Sequence, residues 1–395
     1  MNAELQADRA ALADTVRRFA ENEIAPNVQA WDDAGEFPRA LYTRAAELGL
    51  LGLSYPEELG GTPASYSLKL PAWVALARHG KSGGVLASLF SHNIGLPPVV
   101  LHGSDAVRRE VVPPVLRGEK IAALAITEPG GGSDVAALRT TARRESGGGG
   151  GSDGDHYVVN GEKTFITSGM RADWITVAVC TGEGRGAGGI SMLLVPGDTP
   201  GLSRTRLAKM GWLCSDTATL HFDNVRVPAR YLLGDEGAGF RMVMGNFNGE
   251  RIGLAAGALG FAQACLDEAL AWARERKTFG HALIEHQAVR HKLVDMQMRI
   301  ASTEAWIEAV STEGDALEAA GRFNTPEWVA QICMLKNHAT QTMQFCADQA
   351  VQILGGMGFM RGTVSERIYR EVKVMMIGGG AEEIMKELAA RQMGW

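Results

Sequence analysis

Two short runs of β-branched and large apolar residues decide the fold class of this 395-residue chain: Trp174–Val179 (WITVAV) and Ile190–Val195 (ISMLLV). Together with Tyr157–Val159 and Lys163–Thr167, which lie just before them, they predict several strands separated by turn residues. Helical spacing precedes this region and resumes after Gly239. We expect long helices near 240–275, 283–312 and 325–353, and a last one at 381–391. The pattern predicts an α+β fold with helical residues 1–120, a β-domain at 121–235 and a helical bundle at 236–395.

Composition excludes several classes of function. The net charge is -6, and no Lys- and Arg-rich run is interleaved with aromatic residues, which argues against nucleic acid as a partner. The first residues are polar, and we find no apolar run near the roughly 18 residues that a membrane span needs. We therefore expect a cytoplasmic protein without a membrane partner. Five scattered cysteines and nine histidines show no metal-ligand spacing, so no metal site is predicted.

A charged pair stands out in the predicted helix after Gly239. Between Arg241 and Asp267 the only charged residues are Glu250 and Arg251, in a stretch rich in Met, Leu, Ala and Gly. A carboxylate is rarely placed in such surroundings unless it is paired or acts as an acid or base. Glu250 is therefore a candidate base, and the simpler alternative is an ion pair with a cation elsewhere in the fold, because adjacent helical residues do not face each other.

Four sequence blocks carry the remaining functional signal: Ala125–Asp134 (AITEPGGGSD), Asn160–Gly169 (NGEKTFITSG), Glu275–Gly280 with Glu285–Ala288 (ERKTFG and EHQA), and Gln352–Phe359 (QILGGMGF). Glycines beside hydroxyl side chains expose backbone N–H groups to an anion or to a flat polar ring. The first block alone is also consistent with a simple capped turn.

In this order and spacing, the four blocks resemble the acyl-CoA dehydrogenase family across essentially the whole chain. The resemblance implies an N-terminal α-helical domain, a middle β-barrel-like domain and a C-terminal four-helix bundle. It also implies FAD bound between the last two domains and completed by a neighbouring subunit of a homotetramer. The expected substrate is an acyl-CoA thioester, and the expected electron acceptor is an electron-transfer flavoprotein.

The same resemblance assigns ligand-binding residues. Cofactor contacts are expected from Ile126, Thr127, Gly132, Ser133, Phe165, Ile166 and Thr167, from Arg276, Thr278, Phe279, His286, Gln287, Gln352, Gly355 and Gly356 toward the neighbouring subunit, and from Ala381 and Glu383. Substrate contacts are expected from Ser133, Asn248 and Arg251. Phe165 stands where tryptophan is more usual in the family, and on its own it fits a core strand residue. Arg276 and Gly355 on their own fit a helix-terminal cation and a helix cap.

The catalytic base is the point at which family members differ. Many carry a glutamate at the position that is Gly379 here, whereas a branch including the isovaleryl- and long-chain enzymes carries it on the long helix, just before an arginine. That position is Glu250, next to Arg251, so the resemblance assigns the base to Glu250 and a carbonyl-binding backbone N–H to Gly379. Glu382 and Glu383 are rival bases, although acids at the start of a helix usually serve as caps.

Three functions remain open from the sequence. The first is α,β-dehydrogenation of an acyl-CoA. The second is a flavin oxidase or monooxygenase of the same fold, and the third is an acyl-CoA-binding protein without catalysis. The helix from Ser82 to Phe90 would line the acyl tail, but the chain length of the substrate does not follow from spacing.

Overall fold

The computed structural model describes residues 3–146, 154–182, 186–322 and 324–395. The helices are α1 (Ala3–Phe19), α2 (Val28–Ala34), α3 (Ala40–Glu47), α4 (Tyr66–Gly80), α5 (Gly83–Leu89), α6 (His92–Gly95), α7 (Pro97–His102), α8 (Asp105–Leu116), α9 (Gly239–Glu275), α10 (Gln287–Ala319), α11 (Pro326–Leu354), α12 (Gly356–Phe359), α13 (Val364–Ile377) and α14 (Glu382–Gln392). The strands are β1 (Ala122–Ala125), β2 (Thr141–Glu145), β3 (His156–Thr167), β4 (Trp174–Cys180), β5 (Ile190–Pro196), β6 (Leu202–Arg206), β7 (Thr217–Pro228), β8 (Leu232–Leu233), β9 (Lys277–Thr278) and β10 (His281–Ala282). The α+β fold class is confirmed, since helices flank a central run of strands.

The first eight helices form the N-terminal unit, and α4 connects it to the rest of the molecule. Ser65 caps α4 by accepting a hydrogen bond from the backbone N–H of Leu68. The helix packs against α1 on one side and α9 on the other. The short helix α5 follows directly, capped in the same way by Ser82, and its first glycines are buried. The N-terminal unit is thereby placed against the long helix that carries Glu250.

The middle unit is a mixed sheet of eight strands and not the barrel-like domain expected from the sequence. The strand order is β6-β7-β3-β2-β4-β5-β8, and β1 pairs with β4 in parallel. Closing a barrel would require the two outer strands to pair with each other. Within the described ranges, β6 pairs with β7 and β8 pairs with β5, while β8 is only two residues long. The polar sequence of β6 (LSRTR) suits a solvated sheet edge.

Strand β3 is continuous, but two irregularities break its regular pleat. Its pairing with β7 shifts register between Val159 and Gly161 and again between Lys163 and Ile166. Phe165 lies inside the second irregularity with a positive φ of 61°. A bulge of this kind turns a side chain out of the sheet, and Phe165 is 69% exposed. The alternative of a core strand residue at this position is therefore excluded.

The C-terminal unit is a helical bundle in which α9, α10, α11 and α13 pack on one another. Pro326 at the first position of α11 and the side chain of Thr325 begin that helix in the expected way. Helix α13 was not anticipated from the sequence, because its apolar positions are separated by charged residues. Thr363 caps it, and its inward face buries Ile368 and Val372, among others.

Helix α9 corrects a second expectation. By length and composition it is apolar enough to span a membrane, whereas the sequence was expected to hold no such run. In the fold, 61% of its most apolar window is buried. It packs against α4, α10, α11 and α13, as the core helix of a bundle does.

Candidate active site

Glu250 lies on α9 with an unpaired carboxyl group. Its Oε2 atom is inaccessible to solvent and has no hydrogen-bond partner, and among the described residues it forms no salt bridge. Burial raises the pKa of Glu250 to about 7, although the positive charges of Arg251 and Lys336 act in the opposite direction. The simpler alternative of a structural ion pair is therefore not what the described part of the chain shows.

Gly379 faces Glu250 from the turn between α13 and α14. Its φ of +67° is in the left-handed region, which favours glycine. A Cβ atom at this position would lie 2.9 Å from Leu254 Cδ1 and 3.6 Å from Glu250 Oε1. The two positions at which the family is expected to carry its base are therefore neighbours in space, and here only α9 supplies a side chain.

Open space adjoins this pair along α9. Gly253 lies three residues after Glu250, which places it on the same face of the helix. Apart from the nearby backbone of α9 itself, no heavy atom of the described residues stands within 4 Å of where its Cβ would be. One further turn along, a Cβ at Gly257 would meet only side-chain ends, Met375 Cε at 3.6 Å and Leu86 Cδ2 at 3.9 Å. An extended apolar chain could therefore lie along this face toward α5.

Arg251 binds the glycine turn instead of Glu250. Its Nε donates to the carbonyl oxygen of Gly379 at 3.0 Å, and its Nη1 donates to Asn248 Oδ1 at 3.1 Å. Asn248 in turn donates to Asn324 Oδ1 at 2.8 Å. Burial lowers the pKa of Arg251. Both residues assigned to the thioester end are thus buried, and Arg251 holds the turn in place while Glu250 remains unpaired.

Lys336 completes this centre, and sequence reasoning missed it. The side chain is fully buried on α11, and its Nζ donates to the carbonyl oxygens of Met376 at 3.0 Å and Gly380 at 2.8 Å. The signal that identified Glu250, a charge within an apolar helical stretch, is also present around Lys336 in Ile332–Leu335 (ICML). Applied to α11, the same rule would have found it.

The first two sequence blocks are joined by a buried ion pair. Lys163 donates to Glu128 Oε1 at 2.8 Å and to the carbonyl of Ile126 at 3.0 Å. The backbone N–H of Thr164 donates to the carbonyl of Thr127 at 2.8 Å. These contacts place the glycine-rich turn after Glu128 beside the bulge of β3. The roles of Glu128 and Lys163 as the connection between the blocks were not anticipated.

The surface formed by these two blocks suits a flat cofactor. Gly132 and Ser133 are exposed, Thr167 is half-buried, and the exposed ring of Phe165 stands next to the buried Ile166. A bulky residue with a positive φ has a strained backbone. Such residues persist where the surrounding structure holds them in place, often at ligand sites. An exposed aromatic ring beside an exposed glycine-rich turn and hydroxyl side chains fits a ring with polar edges.

The third and fourth blocks form a different exposed surface. Thr278 Oγ1 lies 3.3 Å from His286 Nε2, and the ring of Phe279 contacts that of His286 with centroids 6.5 Å apart. Phe279 is 96% exposed and has a φ of +51°. The other exposed residues assigned here are Arg276, Gln287, Gln352, Gly355 and Gly356.

Arg276 and Gly355 also fit the simpler roles of a helix-terminal cation and a helix cap. Arg276 is the residue that ends α9, and Gly355 ends α11 with a φ of +61°. Their positions are compatible with a helix cap and with a ligand contact alike. The ring of Phe279 has no such structural role, because its side chain is almost entirely in solvent.

At the start of α14, Glu382 and Glu383 lie where acids usually cap a helix. Ala381 precedes the helix, and Glu382 Oε1 accepts a hydrogen bond from Gln341 Nε2 at 2.6 Å. Asn337 also donates to the carbonyl of Glu382 at 2.9 Å. Glu383 is exposed in the first turn of α14. Both acids therefore stand where the helix dipole favours them, and Glu382 is held against α11.

Comparison with known proteins identifies the family. Three family models match: the acyl-CoA dehydrogenase N-terminal domain at residues 6–119, the middle domain at 123–225 and the C-terminal domain at 237–394. A probable acyl-CoA dehydrogenase of Bacillus subtilis is 36% identical, with 100% of both chains covered.

Solved structures agree. A putative acyl-CoA dehydrogenase from Mycobacterium smegmatis is 45% identical with a TM-score of 0.91, covering 100% of this chain and 98% of that one. A glutaryl-CoA dehydrogenase from the same organism, solved in complex with FADH2, is 26% identical with a TM-score of 0.87, covering 100% of this chain and 95% of that one. The chain therefore belongs to the acyl-CoA dehydrogenase family.

Proposed function

We propose that this protein dehydrogenates an acyl-CoA thioester to the trans-2-enoyl-CoA, with Glu250 removing the α-proton and FAD accepting the β-hydride. The observation that carries the proposal is the unpaired, buried carboxyl of Glu250 beside Gly379. A carboxylate in a structural role is normally paired or hydrogen-bonded. One left unpaired beside open space is available to take a proton from a ligand.

The pKa of Glu250 suits this role. The α-proton of a thioester is far less acidic than a carboxylic acid in water, so an ordinary glutamate is a weak base for it. Burial raises the pKa of Glu250 to about 7, which makes the carboxylate a stronger base while it is still partly ionised at neutral pH. The proton passes from the α-carbon to Glu250, and the electron pair moves toward the thioester carbonyl.

Charge on that carbonyl needs hydrogen-bond donors. The backbone N–H of Gly379 would supply a donor beside Glu250, since the N–H of Gly378 already donates to the carbonyl of Val374. Arg251 holds the turn through the carbonyl of Gly379. Preformed donors of this kind stabilise the developing negative charge because they need no reorganisation during the reaction. Asn248 and Arg251 would border the thioester end of the substrate.

The residues of the first two blocks would hold the FAD. Thr127, Ser133 and the exposed turn between them would meet the pyrophosphate and ring, while Phe165 and Thr167 would orient the ring against the substrate. The bound flavin supplies the hydride acceptor, which the protein's own side chains lack. The family relationship and the fit of this surface support FAD as the cofactor.

Assembly with further copies of the chain is part of the proposal. Phe279 is 96% exposed and Phe359 is 87% exposed, and both lie in the blocks that the family resemblance directs toward a neighbouring subunit. Apolar side chains this exposed mark contact surfaces. A homotetramer in which these blocks complete a neighbour's FAD site explains them, and an electron-transfer flavoprotein is the proposed acceptor.

The decisive test replaces the base alone. Glu250→Gln keeps the size and hydrogen-bonding capacity of the side chain but cannot take up the proton. We expect anaerobic flavin bleaching by a panel of acyl-CoAs to slow by about 10³-fold, within the range of general-base removal. The matched control is Glu387→Gln on α14, an exposed residue paired only with Arg391. Bleaching by the Glu250→Gln variant at the parent rate would exclude Glu250 as the base.

The acceptor is tested separately. After anaerobic reduction by substrate, mixing with air in a stopped-flow instrument measures reoxidation of the product-bound protein. We expect slow reoxidation. Rapid reoxidation would contradict the dehydrogenase proposal and favour a flavin oxidase or monooxygenase, and a purified protein without bound flavin would favour a binding protein.

A further inference from the structure

Lys336 has no part in the proposed proton abstraction, yet its ammonium group makes two hydrogen bonds to backbone carbonyls at the glycine turn. Its Nζ donates to the carbonyl of Met376, just before the turn, at 3.0 Å and to the carbonyl of Gly380, the last glycine of the turn, at 2.8 Å. Helix α13 ends at Ile377 and α14 begins at Glu382. A single ammonium group therefore ties both ends of this turn to α11.

A second buried lysine shows what is unusual about this arrangement. Lys163 and Lys336 are both fully buried. Lys163 is paired with a carboxylate, Glu128, at 2.8 Å, as a buried charge normally is. Among the described residues Lys336 forms no salt bridge, and its hydrogen bonds go to backbone carbonyls. Burying an ammonium group without a carboxylate partner costs free energy. This cost indicates that Lys336 has a specific role at the turn.

The turn needs external support. It contains three consecutive glycines, two of which have positive φ values of 67° and 114°. Glycine has the widest conformational freedom of any residue, and such a segment is not held in one shape by its own sequence. Arg251 holds the carbonyl of Gly379 from α9, while Lys336 holds the two flanking carbonyls from α11. Two cations together fix the segment that would present the N–H of Gly379 to the substrate.

Two cations act on Glu250: Arg251 on α9 and Lys336 on α11. Lys336 also faces the carboxylate of Glu382 at the start of α14 and the thiol of Cys333 on α11, whose pKa is raised by burial. The α13 residues packed nearby, Met375 and Met376, are uncharged. Burial lowers the pKa of Lys336 to about 8, and the positive charge of Lys336 opposes the rise in the pKa of Glu250. The state of charge of Lys336 thus acts directly on the base.

We propose that Lys336 is a positioning residue for α-proton abstraction: it holds the glycine turn, beside Glu250, in the shape that receives the thioester carbonyl. This inference rests on the function proposed above. Lys336 itself makes no bond to the substrate and transfers no proton to it. Its effect is exerted through the turn and through Glu250.

The test uses Lys336→Met, which keeps the length of the side chain and removes its charge. Lys292→Met is the matched control, because Lys292 also anchors a side chain of α11, Gln349 at 2.6 Å, but lies on α10. Both variants are prepared as the flavin-loaded enzyme and titrated with 3-thiaoctanoyl-CoA or, if the substrate panel shows another preferred chain length, with the 3-thia analogue of that length. This analogue can lose its α-proton but cannot give up a β-hydride, so the long-wavelength band of its anion against the flavin reports deprotonation alone.

We expect Lys336→Met to move the pH midpoint of that band upward by about one unit, the size of effect that a nearby charge exerts. The rate of flavin bleaching by substrate at pH 7 should fall by about 10-fold or more, corresponding to that shift and a less ordered turn. The dissociation constant of the analogue at high pH should change little. Lys292→Met should leave the midpoint unchanged. A Lys336→Met enzyme with the parent's midpoint and rate would overturn the inference.

Lys336→Arg provides a second test should the methionine variant fail to fold. Arginine stays protonated at every accessible pH, whereas the pKa of Lys336 is about 8. The parent should therefore lose bleaching rate above about pH 8, and Lys336→Arg should lack this alkaline loss. The same alkaline loss in both enzymes would overturn the inference.

Glu250→Gln, measured in parallel, separates the two proposals. If the parent gives no deprotonation band, or if Glu250→Gln gives the parent's band, then the proposed function fails. If those two behave as expected and the Lys336 variants match the parent, only the role of Lys336 fails.

Discussion

Two glutamates of this protein, each with a carboxyl oxygen that solvent does not reach, have the same raised pKa and opposite surroundings. Burial raises the pKa of both Glu250 and Glu371 to about 7, and each has one carboxyl oxygen without a partner. Glu371 Oε2 accepts a hydrogen bond from the backbone N–H of Gly83 at 2.9 Å, at the start of α5. The space around it is filled, since a Cβ at Gly83 would lie 2.3 Å from Trp212 Nε1 and 3.0 Å from Glu371 Oε2.

The contrast shows that a perturbed pKa alone does not identify a base. Glu250 faces a turn that can bind a carbonyl, and open space follows at Gly253. Glu371 instead stabilises the N-terminus of a short helix, with Arg367 and Arg370 nearby. A base must reach its proton within hydrogen-bond distance, and only Glu250 has room for a ligand. The two residues have the same pKa, and they differ in their access to a ligand and in their neighbouring groups.

The largest predicted effect separates the two glutamates directly. Replacing each by glutamine in turn should lower the rate of anaerobic flavin bleaching by about 10³-fold at Glu250 and by less than about threefold at Glu371. Glutamine at 371 can still accept the hydrogen bond from Gly83. Stopped-flow absorbance with the preferred acyl-CoA measures both. Equal losses at the two positions would remove the distinction.

A second change tests the glycine turn that makes Glu250 different. Gly379→Ala should reduce the bleaching rate by about 10- to 100-fold, because the added Cβ would lie 2.9 Å from Leu254 Cδ1 and the residue has a positive φ. The control is Gly321→Ala at the end of α10, where φ is +66° and, among the described residues beyond its chain neighbours, no atom lies within 4 Å of the added Cβ. Similar losses of activity for the two variants would show that backbone strain, and not the fit against Leu254 and Glu250, is responsible.

The pKa of Glu250 predicts how the rate of flavin bleaching falls at acid pH. The carboxylate is the active form, so the bleaching rate should rise with pH through a midpoint near 7, below the alkaline loss expected above about pH 8 from Lys336. A midpoint of the pH–rate profile near the ordinary pKa of glutamate, about 4.3, would contradict the desolvation of this carboxyl group. The pH profile of the parent, measured under single-turnover conditions, gives the midpoint.

The smallest predicted effect concerns stability. Because the folded-state pKa of Glu250 is raised, the folded protein favours the protonated carboxyl, and that contribution to stability is lost as pH rises from about 4.5 through about 7. Glu250→Gln has no such loss. It should exceed the parent in unfolding free energy by about 1–3 kcal/mol at pH 8, and the difference should shrink toward pH 5.

Denaturant unfolding of the two proteins at both pH values measures this difference. A difference independent of pH would mean that the carboxyl is not desolvated in the folded state. Glu371→Gln should show the same direction of change, because desolvation raises the pKa of both carboxyl groups.

Much of the site was predictable because it depends on local chemistry. A lone carboxylate in an apolar helix identified Glu250, and the family resemblance placed Gly379 opposite it. The exposed rings of Phe165 and Phe279 lie in two of the four blocks that were singled out. What could not be predicted was pairing over long sequence distances. Lys336 is separated from Gly380 by 44 residues, and Lys163 from Glu128 by 35, so neither contact leaves a local pattern.

The sequence by itself determined the order of helical and β units and the residues able to do chemistry, because periodicity and residue type are local properties of the chain. Only the tertiary structure decided that the sheet stays open, that α13 completes the bundle and that Lys336 and Arg251 both bind the glycine turn. It also decided that Glu250 lies beside open space, whereas Glu371 accepts a hydrogen bond from Gly83 in a filled region. Burial and pairing depend on which distant segments pack together, and the free energy that selects that packing is shared among all of them.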